Sequence, residues 1–199
     1  MISKRLLQQM DFISEIEKLK VIYRQNGVIG GKRQENSAEH SWHISIMAFI
    51  LLEYCNQKID VLKVIKMLLI HDVIEIVTGD TFLYDDEKRK EVKLPEKEAA
   101  NQIFGLLPQD QKNDFLQCWN EFELKETPES KYANVLDNLQ PIINHFYTNN
   151  QNIKGKCLTK EQIIKKKEFI KEYSEEIWEF ALSIIDKSVQ IGLYKEKEN

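Results

Sequence analysis

Apolar residues recur along most of this chain at spacings of three and four, the period of an α-helix. No stretch reads convincingly as a strand, which would need apolar residues at every second position. Over residues 4–24, Leu6, Leu7, Met10, Ile13, Ile16, Leu19 and Ile22 fall on the helical period and predict a first helix. An all-α chain is therefore expected. The scarcity of glycine (7) and proline (4) suits long helices separated by few tight turns. At 199 residues and 42% hydrophobic, the chain has enough apolar mass for one cored domain, or one domain with a helical appendage.

Start and stop signals divide the remainder. The first helix ends before Asn26-Gly27, and a loop continues through Gly30-Gly31. Ser37 is a candidate N-cap for a second helix reaching about Asn56, and a third spans about 60–77, stopping near Gly79. Residues 82–95 form a charged, mobile-looking stretch, followed by a helix from Pro95 to Leu106. Pro108 opens the next, which carries Phe115, Leu116, Trp119 and Phe122. Thr127-Pro128 reads as an N-cap followed by proline at the first helical position, starting a helix to about Asn149 with one irregularity at Pro141. Residues 149–155 read as a polar loop. Thr159 and Gln162 then form a capping-box pattern that opens a C-terminal helical pair, with Ile163, Ile170, Ile177, Ala181, Ile184, Ile185 and Val189 on its apolar face.

Charge and cysteine usage narrow the function classes. A net charge of −4 gives no overall positive field for nucleic acid or anionic lipid, so neither partner is expected. An anionic small-molecule substrate would need local help from a metal or from a few placed basic residues. Cys55, Cys118 and Cys157 are odd in number and widely spaced, which argues against a zinc knuckle or a disulfide framework. The opening residues lack a signal-peptide apolar core, and the longest apolar stretch, 44–52, is too short to span a bilayer. A soluble protein in a reduced cytoplasm is expected.

Chemistry concentrates at His71-Asp72, which follows the apolar run Met67-Leu68-Leu69-Ile70 on a core helix. Burying two such side chains without partners costs on the order of 2–7 kcal/mol for each polar group. A divalent cation would satisfy both. One doublet supplies too few ligands, and His40, on the first turn of the preceding helix, and Asp137, on the helix that starts at Thr127, are available as others.

His40, His71-Asp72 and Asp137 together resemble the H…HD…D signature of the HD-domain metal-dependent phosphohydrolases. The surroundings are similar to the branch that contains the 5′-deoxynucleotidases. They are Glu35-Asn36-Ser37-Ala38-Glu39-His40-Ser41, then His71 through Asp80, then Asp137-Asn138-Leu139-Gln140-Pro141. The resemblance covers about residues 15–195. It implies a single HD-domain helical bundle over residues 1–199, with its core at about 15–150 and C-terminal helices at about 159–195 packed on it. It implies His40, His71, Asp72 and Asp137 as metal ligands. Glu75, one helical turn past the doublet, becomes the acid/base residue. Asp80 and Arg24 are implied as substrate contacts, and Arg33 is a second candidate phosphate clamp because arginine binds phosphate bidentately. Related proteins are commonly dimers, so a homodimer is expected. One position departs from the pattern: Gln25 stands where the bacterial deoxynucleotidases follow the first arginine with tryptophan, which predicts a weakened preference for deoxyribonucleotides.

Two histidines and two carboxylates make a mixed nitrogen and oxygen site that suits Mn²⁺, Co²⁺, Fe²⁺, Ni²⁺ or Zn²⁺ better than Mg²⁺. The expected activity is hydrolysis of a small phosphorylated metabolite, in the first place a (deoxy)nucleoside 5′-monophosphate. Phosphodiesterase or nucleoside triphosphate hydrolysis is the nearest alternative. A two-iron oxygenase would need further histidine ligands, and only His43 and His145 remain, both read as structural. A non-catalytic metal-binding helical module would need neither Glu75 nor Asp80.

Overall fold

The computed structural model describes residues 2–81, 83–84 and 96–196, with backbone only at 151 and 152. The expectations for residues 85–95 and for a helix start at Pro95 lie outside the described residues.

The first helix is shorter than its apolar spacing predicts. Helix α1 runs Lys4–Ile16, capped by the Ser3 hydroxyl, and the chain then tightens into a 3₁₀ turn at Glu17–Val21 that buries Leu19. Val21-Ile22-Tyr23 are β-branched or aromatic and take up extended backbone readily. Ile22 is extended, and its carbonyl accepts from the Ser37 amide. A strand follows where the end of the helix and then a loop are expected: β1 (Tyr23–Gly27) pairs antiparallel with β2 (Gln34–Asn36), an irregularity interrupting the register between Tyr23 and Gly27. Such irregularities re-aim side chains next to functional sites. Gly30, at φ +74 in the connecting loop, supplies the left-handed residue.

Helix α2 (Ser37–Ile50) starts one residue earlier than Ser37 as N-cap would place it. Asn36 is the cap, and its side chain and that of Glu39 form a reciprocal capping box. Ser37 is thereby left inside the first turn with its hydroxyl free to reach Glu75. Helix α3 (Val61–Ile70) ends at the doublet instead of running through it. Residues 71–74 form a turn, and the short helix α4 (Glu75–Thr78) closes on Gly79 at φ +72. The carbonyl of His71, released at that helix end, accepts from the Trp119 indole N–H at 3.2 Å.

Residues 96–104 form α5, and α6 spans Gln109–Leu124. Helix α7 (Pro128–Thr148) begins, as its sequence predicts, with Thr127 as cap and proline at the first helical position. It continues unbroken past Pro141. It packs against α2, α3, α6 and α10 and against strand β1, and is buried on most of its circumference, as the central helix of a bundle must be. Tyr132, Leu136, Leu139 and Ile142 of α7 meet Val64, Met67 and Leu68 of α3 in one core cluster. The segment expected as a polar loop contains a short helix, α8 (Gln151–Gly155), which buries Ile153 completely. Thr159 and Gln162 do form a capping box, opening α9 (Lys160–Lys167). A 3₁₀ turn at Glu168–Glu172 leads to α10 (Glu175–Gln190), which packs on α7. The protein is all-α apart from the hairpin. The three cysteines are unpaired, and among the described residues no helix is long and apolar enough to cross a membrane.

Candidate metal centre

Four side chains separated by as many as 97 residues meet under the hairpin. His40 comes from the first turn of α2, His71 and Asp72 from the end of α3, and Asp137 from the middle of α7. His40, His71 and Asp72 are buried, and each presents a donor atom within 4.8 Å of the other two. Asp137 Oδ1 lies 3.0 Å from His40 Nε2 and 3.7 Å from His71 Nε2, and Asp72 Oδ1 lies 3.0 Å from His71 Nε2. Separations near 3 Å suit adjacent corners around an ion bound at about 2.1 Å.

The ring orientations fit such an ion. His71 Nδ1 lies 2.9 Å from the Leu68 carbonyl, which makes Nδ1 the protonated nitrogen and turns Nε2 toward the carboxylates. His71 Nε2 is buried with no aligned hydrogen-bond partner, although carboxylate oxygens stand close by. His40 Nδ1 faces Gln140 Oε1 at 3.2 Å, again leaving Nε2 inward. Gln140 in turn donates to Glu35 at 2.9 Å, so its amide oxygen is fixed toward the histidine. Partners of this kind set the tautomer and orientation of metal-binding histidines. Asn26 extends the network: its amide donates to Glu35, and its oxygen accepts from His145 Nε2 at 2.8 Å. The Tyr194 hydroxyl then occupies His145 Nδ1 at 2.8 Å.

The electrostatics express the same demand for cations. Burial opposes the charged form of both aspartates, yet His71 and Arg24 hold Asp72 below its ordinary value. His40 and His71 likewise hold Asp137 well below. His40 is pushed down to about 4, first by burial and then by Arg24, so its ring is neutral near pH 7. Burial also works against a charge on His71, but Asp72 and Asp137 outweigh it and raise that group well above the ordinary histidine value. Carboxylates facing lone pairs require a proton or a metal between them, and a divalent ion takes the place of the proton.

Beside the four donors lies a cavity of about 140 Å³, walled in part by Arg24, Asp72, Glu75, Asp80 and Asp137. Arg24, aimed from β1, donates to Asp72 Oδ2 at 2.7 Å and lies 4.0 Å from Asp80. Burial disfavours its charge, but Asp72, Glu75, Asp80 and Asp137 raise its pKa further. Glu75 accepts from the Ser37 hydroxyl at 2.6 Å. Burial, then Asp72 and Asp80, raise its carboxyl well above the usual range, against the opposing pull of Arg24 and Ser37. A second hollow of about 160 Å³ adjoins the first, sharing Asp72, Glu75, Asp137 and Asn138 and adding His71, Glu123 and Lys125.

Arg33 is not brought to this place. It is exposed and forms a two-pronged pair with Glu39 at 2.8 and 2.5 Å, in a hollow between the hairpin loop and residues 147–150. The pull of Glu39 explains its location. Glu35, Gln140 and Asn26 are residues to which the motif reading gives no role, although Glu35 and Gln140 lie within its segments. Gln140 carried a signal, since it lies three residues after Asp137 and so shares its helix face.

The profile of the HD domain family matches residues 16–178. The 5′-deoxynucleotidase HDDC2 of Danio rerio is 30% identical over 135 residues, which are 67% of this chain and 66% of that protein. The human 5′-deoxynucleotidase HDDC2 is 26% identical over 135 residues, covering 67% of this chain and 65% of its own. The matched part is thus just under two thirds of the length of these relatives. Among solved structures, one described as a predicted metal-dependent phosphohydrolase from Magnetospirillum magnetotacticum MS-1 is 40% identical, with a TM-score of 0.87 over 96% of this chain and 99% of that one.

Proposed function

The chain belongs to the HD-domain family, and from that premise we propose that it is a metal-dependent phosphohydrolase that hydrolyses (deoxy)nucleoside 5′-monophosphates to nucleoside and phosphate. The observation that carries the reading is the convergence of His40, His71, Asp72 and Asp137 on one point at the wall of a cavity that also holds Arg24 and Glu75. The names of the HDDC2 relatives support the mononucleotide substrate, and the description of the Magnetospirillum structure supports the metal.

In this reading His40, His71, Asp72 and Asp137 hold one divalent transition ion, Mn²⁺, Co²⁺, Fe²⁺, Ni²⁺ or Zn²⁺. When bound, such an ion supplies Lewis acidity toward a phosphoryl oxygen and an activated water. Glu75, whose carboxyl its surroundings raise well above the usual range, delivers a proton to the 5′-oxygen as its bond to phosphorus breaks. Ser37 holds Oε2, so the transfer falls to Oε1. Asp80 and Arg24 contact the substrate from the same cavity, Arg24 also steadying Asp72. His145 has both ring nitrogens engaged, which supports one metal over a two-metal site. Homodimerisation and a cytoplasmic setting accompany this reading. The exposed row Trp42, Ile46, Phe49 and Ile50 on α2 supports the former, and the unpaired cysteines support the latter.

A screen of mononucleotides, nucleoside triphosphates and cyclic nucleotides against each divalent ion, reading released phosphate and run on material sized by sedimentation, tests this. Monophosphates should release phosphate only with a transition ion present. Turnover confined to cyclic nucleotides or triphosphates would move the protein to the alternative phosphohydrolase classes.

A further inference from the structure

Among the three lysines of the last turn of α9, Lys165 is exposed, Lys166 half-buried and Lys167 only 2% exposed. A helix C-terminus favours cations, which accounts for lysines there but not for turning one inward. Lysine is among the residues least often buried. Its ammonium sits 2.7 Å from Asn138 Oδ1. The Asn138 amide nitrogen donates to the Asn134 carbonyl at 2.8 Å and to Asp137 Oδ2 at 3.3 Å, which fixes its oxygen toward the lysine. Lys167 is thereby tied to the residue next to a proposed metal ligand, and it lines the same cavity.

Among the described residues, the lining of that cavity has an unfavourable charge balance for an anionic substrate. Four carboxyl groups, Asp72, Glu75, Asp80 and Asp137, border it against two cations among the described residues, Arg24 and Lys167. Arg24 shares its charge with Asp72 and Asp80. Both cations act on the interior of the cavity: together with burial, the dominant effect, they hold the His145 pKa down at about 3. A volume of about 140 Å³ accepts a group roughly the size of benzene, enough for the phosphoryl end of a substrate.

We propose that Lys167 is a substrate-binding residue of this site, its ammonium meeting the phosphoryl oxygens of the phosphomonoester. The proposal rests on the phosphohydrolase reading and adds a cation to it that no motif supplies. Lys167 adds a positive charge among the surrounding carboxylates, and it binds the phosphate end irrespective of base or sugar.

The full chain loaded with manganese tests this, with 2′-deoxyadenosine 5′-monophosphate as substrate and inorganic phosphate and deoxyadenosine as inhibitors. Lys167→Met should weaken inhibition by phosphate and raise KM by about 10- to 100-fold, the worth of one charge-assisted hydrogen bond. Inhibition by deoxyadenosine and metal content should stay at wild-type values, and Lys167→Arg should recover much of the phosphate affinity. A Lys167→Met protein that binds phosphate as the wild type does would overturn the assignment. Lys167→Gln serves if the methionine variant does not fold, and failure of both to fold would make the lysine structural and end the proposal. A wild type that neither turns over the monophosphate nor binds phosphate would instead sink the phosphohydrolase reading itself.

Discussion

Glu75 owes its chemistry to four neighbours. Burial, Asp72 and Asp80 favour its protonated form, while Arg24 and the Ser37 hydroxyl restrain that tendency. A carboxyl group tuned in this way suits proton donation near neutral pH. Glu75→Gln should keep metal and substrate affinity while kcat falls by roughly 10²–10⁴-fold. Near-normal turnover in that variant, measured under saturating substrate, would hand proton transfer to another group. That His40, His71, Asp72 and Asp137 belong together was legible in the sequence because each lies in a short segment whose internal spacing carries the pattern. Gln140, Glu35 and Lys167 were far less so. Their roles depend on meeting partners across 100, 105 and 29 residues respectively, which no local spacing encodes.

The hairpin is the element that completes the site, and it was the least legible. Tyr23-Arg24-Gln25-Asn26-Gly27 is mostly polar and shows no alternation, so its extended form comes from pairing with β2 and from packing on α7. The helical period was read through Leu19 and Ile22, but tertiary contacts end α1 at Ile16. Helix α7, by contrast, was legible at its start because Thr127-Pro128 is a purely local signal.

His145 of α7 joins the hairpin to the C-terminal segment through Asn26 and Tyr194. Its folded-state pKa of about 3, set first by burial and then by Lys167 and Arg24, lies below the ordinary value of 6.5. The unfolded chain therefore binds its proton first, so this group costs stability as pH falls below 6.5, increasingly down to about 3. By linkage the cost reaches about 2–3 kcal/mol at pH 4.5. Denaturant unfolding of His145→Gln and wild type at pH 7 and 4.5 should show a shallower acid loss in the variant. Equal losses would place the acid sensitivity elsewhere.

Across the whole molecule, a net charge of −4 and a carboxylate-rich cavity would repel a phosphate ester unless cations were concentrated where it binds. In the proposed reading the bundle does this by bringing Arg24 from the hairpin and Lys167 from α9 to the four candidate donors held by α2, α3 and α7. All of the proposed chemistry depends on one ion at His40, His71, Asp72 and Asp137. Elemental analysis of the purified protein beside His71→Ala and Asp72→Ala, each checked for folding by circular dichroism, tests that dependence most directly. The wild type should carry close to one equivalent of a transition metal and both variants should lose it. Undiminished metal in both folded variants would contradict the site.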